Sequence, residues 1–280
     1  MRRQVCMAMP GSSGIGQIAE KFDIQTNRVQ FCRMTDFPLL CLCLMLIRFG
    51  CGIVSGATSI GGVMLSMPLL MALMPARDAA LLSTIMGIAA TPQLSWYYRR
   101  SCSLADIRWL IAGCIPGCAL GALAIKTAPV QFLQLMICAM LFCFVGLQVR
   151  RGRSAWRLPD AWWIGACAGV ACGFVSGSVA MAGAPLGVYV LLRGWDPDRA
   201  RGNMSVFYLF TVGTSFVSQA WAGLYRLDLF ELAAVGIAAN FLGQMLGFRL
   251  GRHVDRELFR RIVTAFLGVA ACVLLMKALA

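Results

Sequence analysis

The pentapeptide Gly52-Ile53-Val54-Ser55-Gly56 recurs as Gly173-Phe174-Val175-Ser176-Gly177, and both copies lie inside long apolar runs. Each leads into a second glycine cluster, Gly61-Gly62 after the first and Gly183-Ala184-Pro185 after the second. Gly52 and Gly173 stand 121 positions apart, so one half of the chain repeats the other. Hydrophobic segments broken by glycine and proline at matching places in two halves point to a ligand site near the middle of a bilayer.

The composition agrees with a membrane location. Hydrophobic residues make up 59% of the 280 and charged residues only 13%, about half the charge of a soluble domain. The apolar runs reach the ~20 residues that cross a bilayer's hydrocarbon. The expected fold is an all-α polytopic membrane protein, since a β-barrel would show short alternating segments instead. A net charge of +13 raises the question of nucleic acid. The basic residues, however, cluster between apolar spans, at Arg99-Arg100, Arg150-Arg151-Gly152-Arg153 and Arg193 to Arg201. That is the pattern of cytoplasmic loops, and no nucleic-acid partner is expected.

Most of the thirteen cysteines are scattered through the apolar spans as small filler. Cys114 and Cys118 share a helix face, but the single histidine, His253, and the absence of paired CxxC clusters leave no metal set, and no cofactor is expected. His253 also lies in a basic loop, poorly placed as a base, so no catalytic residue is assigned and the chain is not read as an enzyme.

Apolar runs between breakers define five segments per half. In the first repeat, 38–149, they lie near 38–57, 60–75, 79–98, 105–126 and 129–149. In the second, 161–280, they lie near 161–177, 180–195, 202–223, 228–250 and 257–278. A basic hinge at 150–160 carries Pro159 and four arginines. Residues 1–37 are polar and basic and are expected to form a loose tail; Met34, just before the first run, is an alternative start. Gly11-Ser12-Ser13-Gly14-Ile15-Gly16 resembles a dinucleotide turn but lacks the strands that such a turn needs. The second segment of each half is too short for a full span and is expected to be a half-helix or re-entrant arm joined through the glycine break. An odd count of spans per half would make the two homologous halves inverted repeats. Basic loops near 99–101, 150–157, 193–201 and 249–256 then share one side, leaving Arg77, Lys126 and Arg226 opposite.

The correspondence extends to Gly117-x-x-x-Gly121 and Gly243-x-x-x-Gly247, spacings suited to close helix packing. With Gly61-Gly62, Pro68-Leu69-Leu70, Tyr97-Tyr98-Arg99-Arg100 and Ile115-Pro116-Gly117 in the first half, the chain resembles the TauE/SafE family of sulfite and organosulfonate exporters. Gly183-Ala184-Pro185, Tyr189 to Gly194 and Arg199-Ala200 resemble that family's second-half signature. The resemblance covers residues 38–280. It departs where the family often has a third glycine after Gly61-Gly62 and a Gly-Pro-Pro in place of Gly183-Ala184-Pro185. It implies a secondary transporter in the bacterial inner membrane that exports a small sulfur-containing or organic anion such as sulfite or a sulfonate. The coupling ion (H+ or Na+) and assembly into a homo-oligomer are left open. The competing reading is a non-transporting membrane accessory or scaffold protein.

The residues themselves suggest how an anion is held. Helices restarting after the breaks present N–H groups and partial positive charge. The expected substrate-binding set is Ser55, Gly56, Thr58, Ser59, Gly61 and Gly62 at the first break, and Ser176, Gly177, Ser178, Gly183, Ala184 and Pro185 at the second. Arg48, a charge inside the first apolar run, attracts the anion, snorkels, or stands before a span that begins later than 38. Asn203 completes the set and, with Gln93, Gln219, Asn240 and Gln244, divides between cavity lining and interhelical bonding. Asp106, Asp228 and Glu231 are read as solvated caps near span ends.

Overall fold

The computed structural model describes residues 37–58, 62–150, 159 and 161–250. Contacts divide the chain into two units, 1–42 and 43–280. In the first, the described residues 37–42 are helical; the relationships below all lie within the second. The polar segment through residue 36, most of the hinge and the expected tenth segment, 257–278, lie outside the described residues.

Among the described residues the chain folds into nine α-helices. They are α1 (Phe37–Thr58), α2 (Gly62–Leu73), α3 (Ala76–Tyr98), α4 (Leu104–Thr127), α5 (Val130–Arg150), α6 (Trp162–Val179), α7 (Gly183–Arg193), α8 (Pro197–Trp221) and α9 (Leu227–Leu250), with a 3-10 turn at Arg99–Ser101. Prolines mark several starts. Pro75 stands at the N-cap of α3, Pro129 precedes α5 and Pro197 opens α8, where the missing N–H costs nothing. The short second segments are helices of 12 and 11 residues. Helix α8 begins five residues before the expected 202, because Arg199 and Arg201 belong to its first turns rather than to a loop.

Four segments are long and apolar enough to cross a membrane: Leu39–Ala57, Leu104–Thr127, Trp162–Val179 and Leu227–Leu250. Their outer faces leave Leu46, Leu120, Leu123 and Leu242 more than half exposed, a surface suited to lipid. The protein is an all-helical, multi-pass membrane protein.

Glycine decides which helices touch. A methyl group on Gly113, Gly117 or Gly121 of α4 would strike the carbonyls of Ala166, Val170 or Phe174 of α6. In return, one on Gly169, Gly173 or Gly177 would strike the carbonyls of Leu110, Cys114 or Cys118. The same seam joins α1 to α9. There Gly52 and Gly56 face the carbonyls of Asn240 and Gln244, and Gly243 and Gly247 face those of Phe49 and Ile53. Contact this close trades side-chain volume for dispersion and Cα–H···O contacts between backbones. The first helix of each half is therefore seamed to the fourth helix of the other half.

The ends of the helices are tied by polar contacts. Arg77 Nη2, opening α3, donates to the Lys126 carbonyl at the end of α4 (3.2 Å), and Lys126 Nζ donates to the Ala222 carbonyl beyond α8 (3.3 Å). At the opposite ends of those helices, Arg199 of α8 pairs with Asp106 of α4 at 2.6 Å. Asn203 Nδ2 donates to the same carboxylate (3.1 Å), while the Ser103 N–H donates to Asn203 Oδ1 (2.8 Å). Asp106 is thus an ion-pair and hydrogen-bond acceptor rather than a solvated cap. Helix α3 begins at the end of the bundle where α8 finishes, so these two helices, equivalent under the repeat, run in opposite directions. Exposed Trp96, Trp109, Trp162 and Trp163 lie toward the Asp106 end and Trp221 at the other, an arrangement suited to two interfacial belts.

Candidate functional site

The second break is built on a strained residue. Helix α6 ends at Val179, and Ala180 takes the left-handed conformation (φ 56, ψ 25) while its N–H donates to the Ser176 carbonyl at 2.9 Å. Glycine is the usual residue there, because a Cβ crowds the following carbonyl. Helix α7 restarts at Gly183, and its first intrahelical bond runs from the Leu186 N–H to the Ala182 carbonyl (3.2 Å). The N–H groups of Gly183 and Ala184 precede that bond, and Pro185 has none to leave unsatisfied. The first break, at 59–61, lies outside the described residues; α2 begins beyond it at Gly62.

A cavity of about 80 Å³ lies between these features. One water needs about 10–15 Å³ of such space, so the cavity has room for a small hydrated ion. Helix α1 contributes Arg48 and Ser55, the restarts contribute Gly62 and Gly183, and the turn between α6 and α7 contributes Ala180 to Ala182. Ser83, Thr84, Gly87 and Thr91 line it from α3, Ser176 from α6, Tyr208 and Val212 from α8, and Asn240 and Gln244 from α9.

Arg48 dominates its electrostatics. The residue is 3% exposed, near the middle of the candidate span Leu39–Ala57. Its Nη2 donates to Ser83 Oγ at 2.8 Å, Nε has no partner, and no carboxylate pairs with it among the described residues. A cation so placed normally pairs with a counter-charge, because desolvation is costly. Thr91 Oγ1 and Gln244 Oε1 are also buried without partners, and a flip of the Gln244 amide exchanges that oxygen for two N–H donors. Gly236 of α9 leaves room beside the Arg48 stem, since a Cβ there would lie 3.5 Å from Arg48 Cγ and would strike Met86.

The sequence candidates divide among several places. The structure brings Arg48, Ser55, Gly62, Ser176 and Gly183 to the cavity wall. It puts Gly56 and Gly177 in the glycine seams. Ser178 Oγ donates back to the Phe174 carbonyl at 2.6 Å, and Ala184 is buried in the apolar core. Pro185 sits in the first turn of α7 and is not among the lining residues. Asn203 is fully buried but bonds Asp106 and Ser103 at the far end of α8. Ser59, Gly61 and the Thr58 side chain lie outside the described residues.

Ser83, Thr84, Thr91 and Tyr208 were not singled out in the sequence. The available signal was a stripe of small and polar residues, Ser83, Gly87 and Thr91, at four-residue steps along an apolar helix. The two halves also contribute unequally. The interval that carries Ser55 to Ser176 carries Arg48 to Gly169, so only one repeat supplies the cation. The interval that carries Gly117 to Gly243 carries Cys114 and Cys118 to Asn240 and Gln244. On the thiol side, Cys118 Sγ lies 3.5 Å from Cys114 Sγ and 3.3 Å from Ser215 Oγ, and Ser215 donates to Ser176 Oγ at 2.9 Å. The amides of one repeat face the cavity, while the thiols of the other are packed behind Ser176.

Residues 44–274 match the family model described as Sulfite exporter TauE/SafE. No curated protein and no solved structure matches the chain at a significant level.

Proposed function

The chain belongs to the sulfite exporter TauE/SafE family of membrane transporters, and on that premise we propose that it exports a small sulfur-containing or organic anion, such as sulfite or a sulfonate, through the cavity around Arg48. The observation that carries this reading is a buried guanidinium facing a cavity with no carboxylate partner among the described residues. An oxyanion there supplies the missing counter-charge and accepts from Arg48 Nε and the Thr91 hydroxyl. The restarts at Gly62 and Gly183 add helix N-termini, whose partial positive charge favours the same ligand without a second fixed cation.

The proposed transport units are the repeats 38–149 and 161–280, joined by the basic hinge 150–160 and related by inverted topology. The opposed directions of α3 and α8 support that inversion. The proposed location is the bacterial inner membrane. A purely accessory role gains no support from the site, because a scaffold has no use for an unpaired buried cation beside a polar cavity.

Reconstitution tests the reading. Proteoliposomes loaded with labelled sulfite are expected to release it faster than empty-membrane controls, saturably, with competition by short sulfonates. Flux of sulfite, methanesulfonate and acetate all equal to the protein-free control would overturn it.

A further inference from the structure

Two hydrogen bonds repeat with the same interval as the glycine motif. Tyr98 OH, at the end of α3, donates to the Gly56 carbonyl at 2.9 Å. Gln219 Nε2, near the end of α8, donates to the Gly177 carbonyl at 2.8 Å. The interval from Gly56 to Gly177 is also the interval from Tyr98 to Gln219. Each bond ties the third helix of a half to the last turn of its own first helix, where carbonyls lack intrahelical partners.

Both residues lie beyond the cavity lining of their helices. On α3, Thr91 and Leu94 line the cavity and Tyr98 follows on the same face; on α8, Tyr208 and Val212 line it and Gln219 follows. Because α3 and α8 run oppositely, the two bonds stand toward opposite ends of the protein. Each is backed by aromatic rings. Tyr98 meets Phe248 edge-on with centroids 6.1 Å apart, and Tyr97 stacks on Phe248 at 4.1 Å. Tyr225 OH donates to Gln219 Oε1 at 2.7 Å, while its ring packs on Phe216 (4.9 Å) and Phe230 (5.8 Å).

We propose that Tyr98 and Gln219 are the two gate residues of the transport path, each closing one end of the cavity by its bond to the first helix of its own half. The proposal rests on the transport reading above. The glycine seams fix which parts can move. With backbones touching, α1 cannot slide along α9, nor α4 along α6, so each cross-half pair moves as one body. Helices α3 and α8 also pack on these pairs, and Tyr98–Gly56 and Gln219–Gly177 are the side-chain bonds that hold them at the two opposite ends. Breaking Tyr98–Gly56 loosens α3 from the α1/α9 pair at one end, and breaking Gln219–Gly177 loosens α8 from the α4/α6 pair at the other. Alternating access then requires that the two bonds not be broken together.

The test reads accessibility rather than flux, so it is separable from the identity of the anion. An Ala90→Cys reporter in the cavity wall is labelled by a membrane-impermeant methanethiosulfonate, in right-side-out and inside-out vesicles, with modification of that peptide followed by mass spectrometry. Losing one hydrogen bond is expected to raise opening about fivefold. Tyr98→Phe should raise labelling by that factor in one vesicle orientation only, and Gln219→Met in the other only. Tyr225→Phe, which removes the second partner of the Gln219 amide, should act in the same orientation as Gln219→Met and serves if that variant fails to fold. Unchanged labelling in folded variants, or increases in the same orientation for Tyr98→Phe and Gln219→Met, would overturn the proposal. Side-specific labelling without protection by any tested anion would uphold the gates and count against the anion reading alone.

Discussion

Arg48 Nη2 donates to Ser83 Oγ at 2.8 Å, and Ser83 in turn points its hydroxyl at Met67 Sδ, 3.5 Å away. Among the described residues, this buried cation is therefore bonded by a neutral hydroxyl whose own second contact is weak. Removing the charge should cost function and not fold, because an apolar residue of similar volume in place of a buried ion is often neutral or stabilising. Arg48→Met is expected to lower anion flux at least about tenfold, the ~1.4 kcal/mol of a single lost charge-assisted hydrogen bond, while the thermal midpoint in detergent stays level or rises. Arg48→Lys, which keeps the charge but loses the planar fork, should fall between the two.

The seams give a contrast between two glycines in long helices. A Cβ on Gly117 of α4 would strike the Val170 carbonyl, whereas one on Gly213 of α8 meets nothing within 4 Å. Gly117→Ala should destabilise by about 1–3 kcal/mol, the cost of overpacking a filled contact. Gly213→Ala should be neutral or gain up to about 1 kcal/mol from helix propensity. Thermal unfolding of the two variants in one detergent decides it, and equal midpoints would mean that the α4–α6 contact tolerates a methyl group.

The repeat made the pairing of helices between halves legible and hid their partners. Gly117-x-x-x-Gly121 and Gly243-x-x-x-Gly247 signal close approach, but nothing local to either says that α4 meets α6 or that α9 meets α1, since a seam is a property of two surfaces. For the same reason Gly56 and Gly177 read as site residues when they face the backbones of α9 and α4. The cation at Arg48 was visible because a charge inside an apolar run is rare. Asn240 and Gln244 stood level with Asn203 and Gln219, because one buried amide looks like another until the helix opposite is known. The early start of α8 had a local signal in Asp196-Pro197-Asp198, an N-terminal pattern masked by the arginines that follow.

Ala180 carries the left-handed conformation at the second break without being glycine. A Cβ in that region costs about 1–2 kcal/mol, partly offset because alanine restricts the unfolded chain more than glycine does. Ala180→Gly should therefore stabilise by roughly 0.5–1 kcal/mol, seen as a small rise in thermal midpoint. Ala180→Val should do the opposite and lower yield, because a β-branched residue resists positive φ more strongly. A lower midpoint for the glycine variant would show that the Ala180 methyl group contributes packing worth more than the strain.

The two restart glycines do not test the cavity equally well. A Cβ on Gly62 would stand 2.6 Å from Ser55 Cβ and 2.9 Å from the Cys51 carbonyl, so a larger residue there disturbs the α1–α2 contact as well as the cavity. Gly183 opens α7 and lines the cavity directly. A leucine side chain carries four carbon atoms, enough to take up much of a space of about 80 Å³ and to keep a ligand from the helix N-terminus. Gly183→Leu is expected to bring flux to background while the protein still inserts and runs as a single species in detergent. Leu120→Ala, on an exposed face of α4, should leave flux unchanged in the same assay. Undiminished flux through the Gly183→Leu variant would mean that the anion does not pass between the breaks, and the path would have to run along another face of α3.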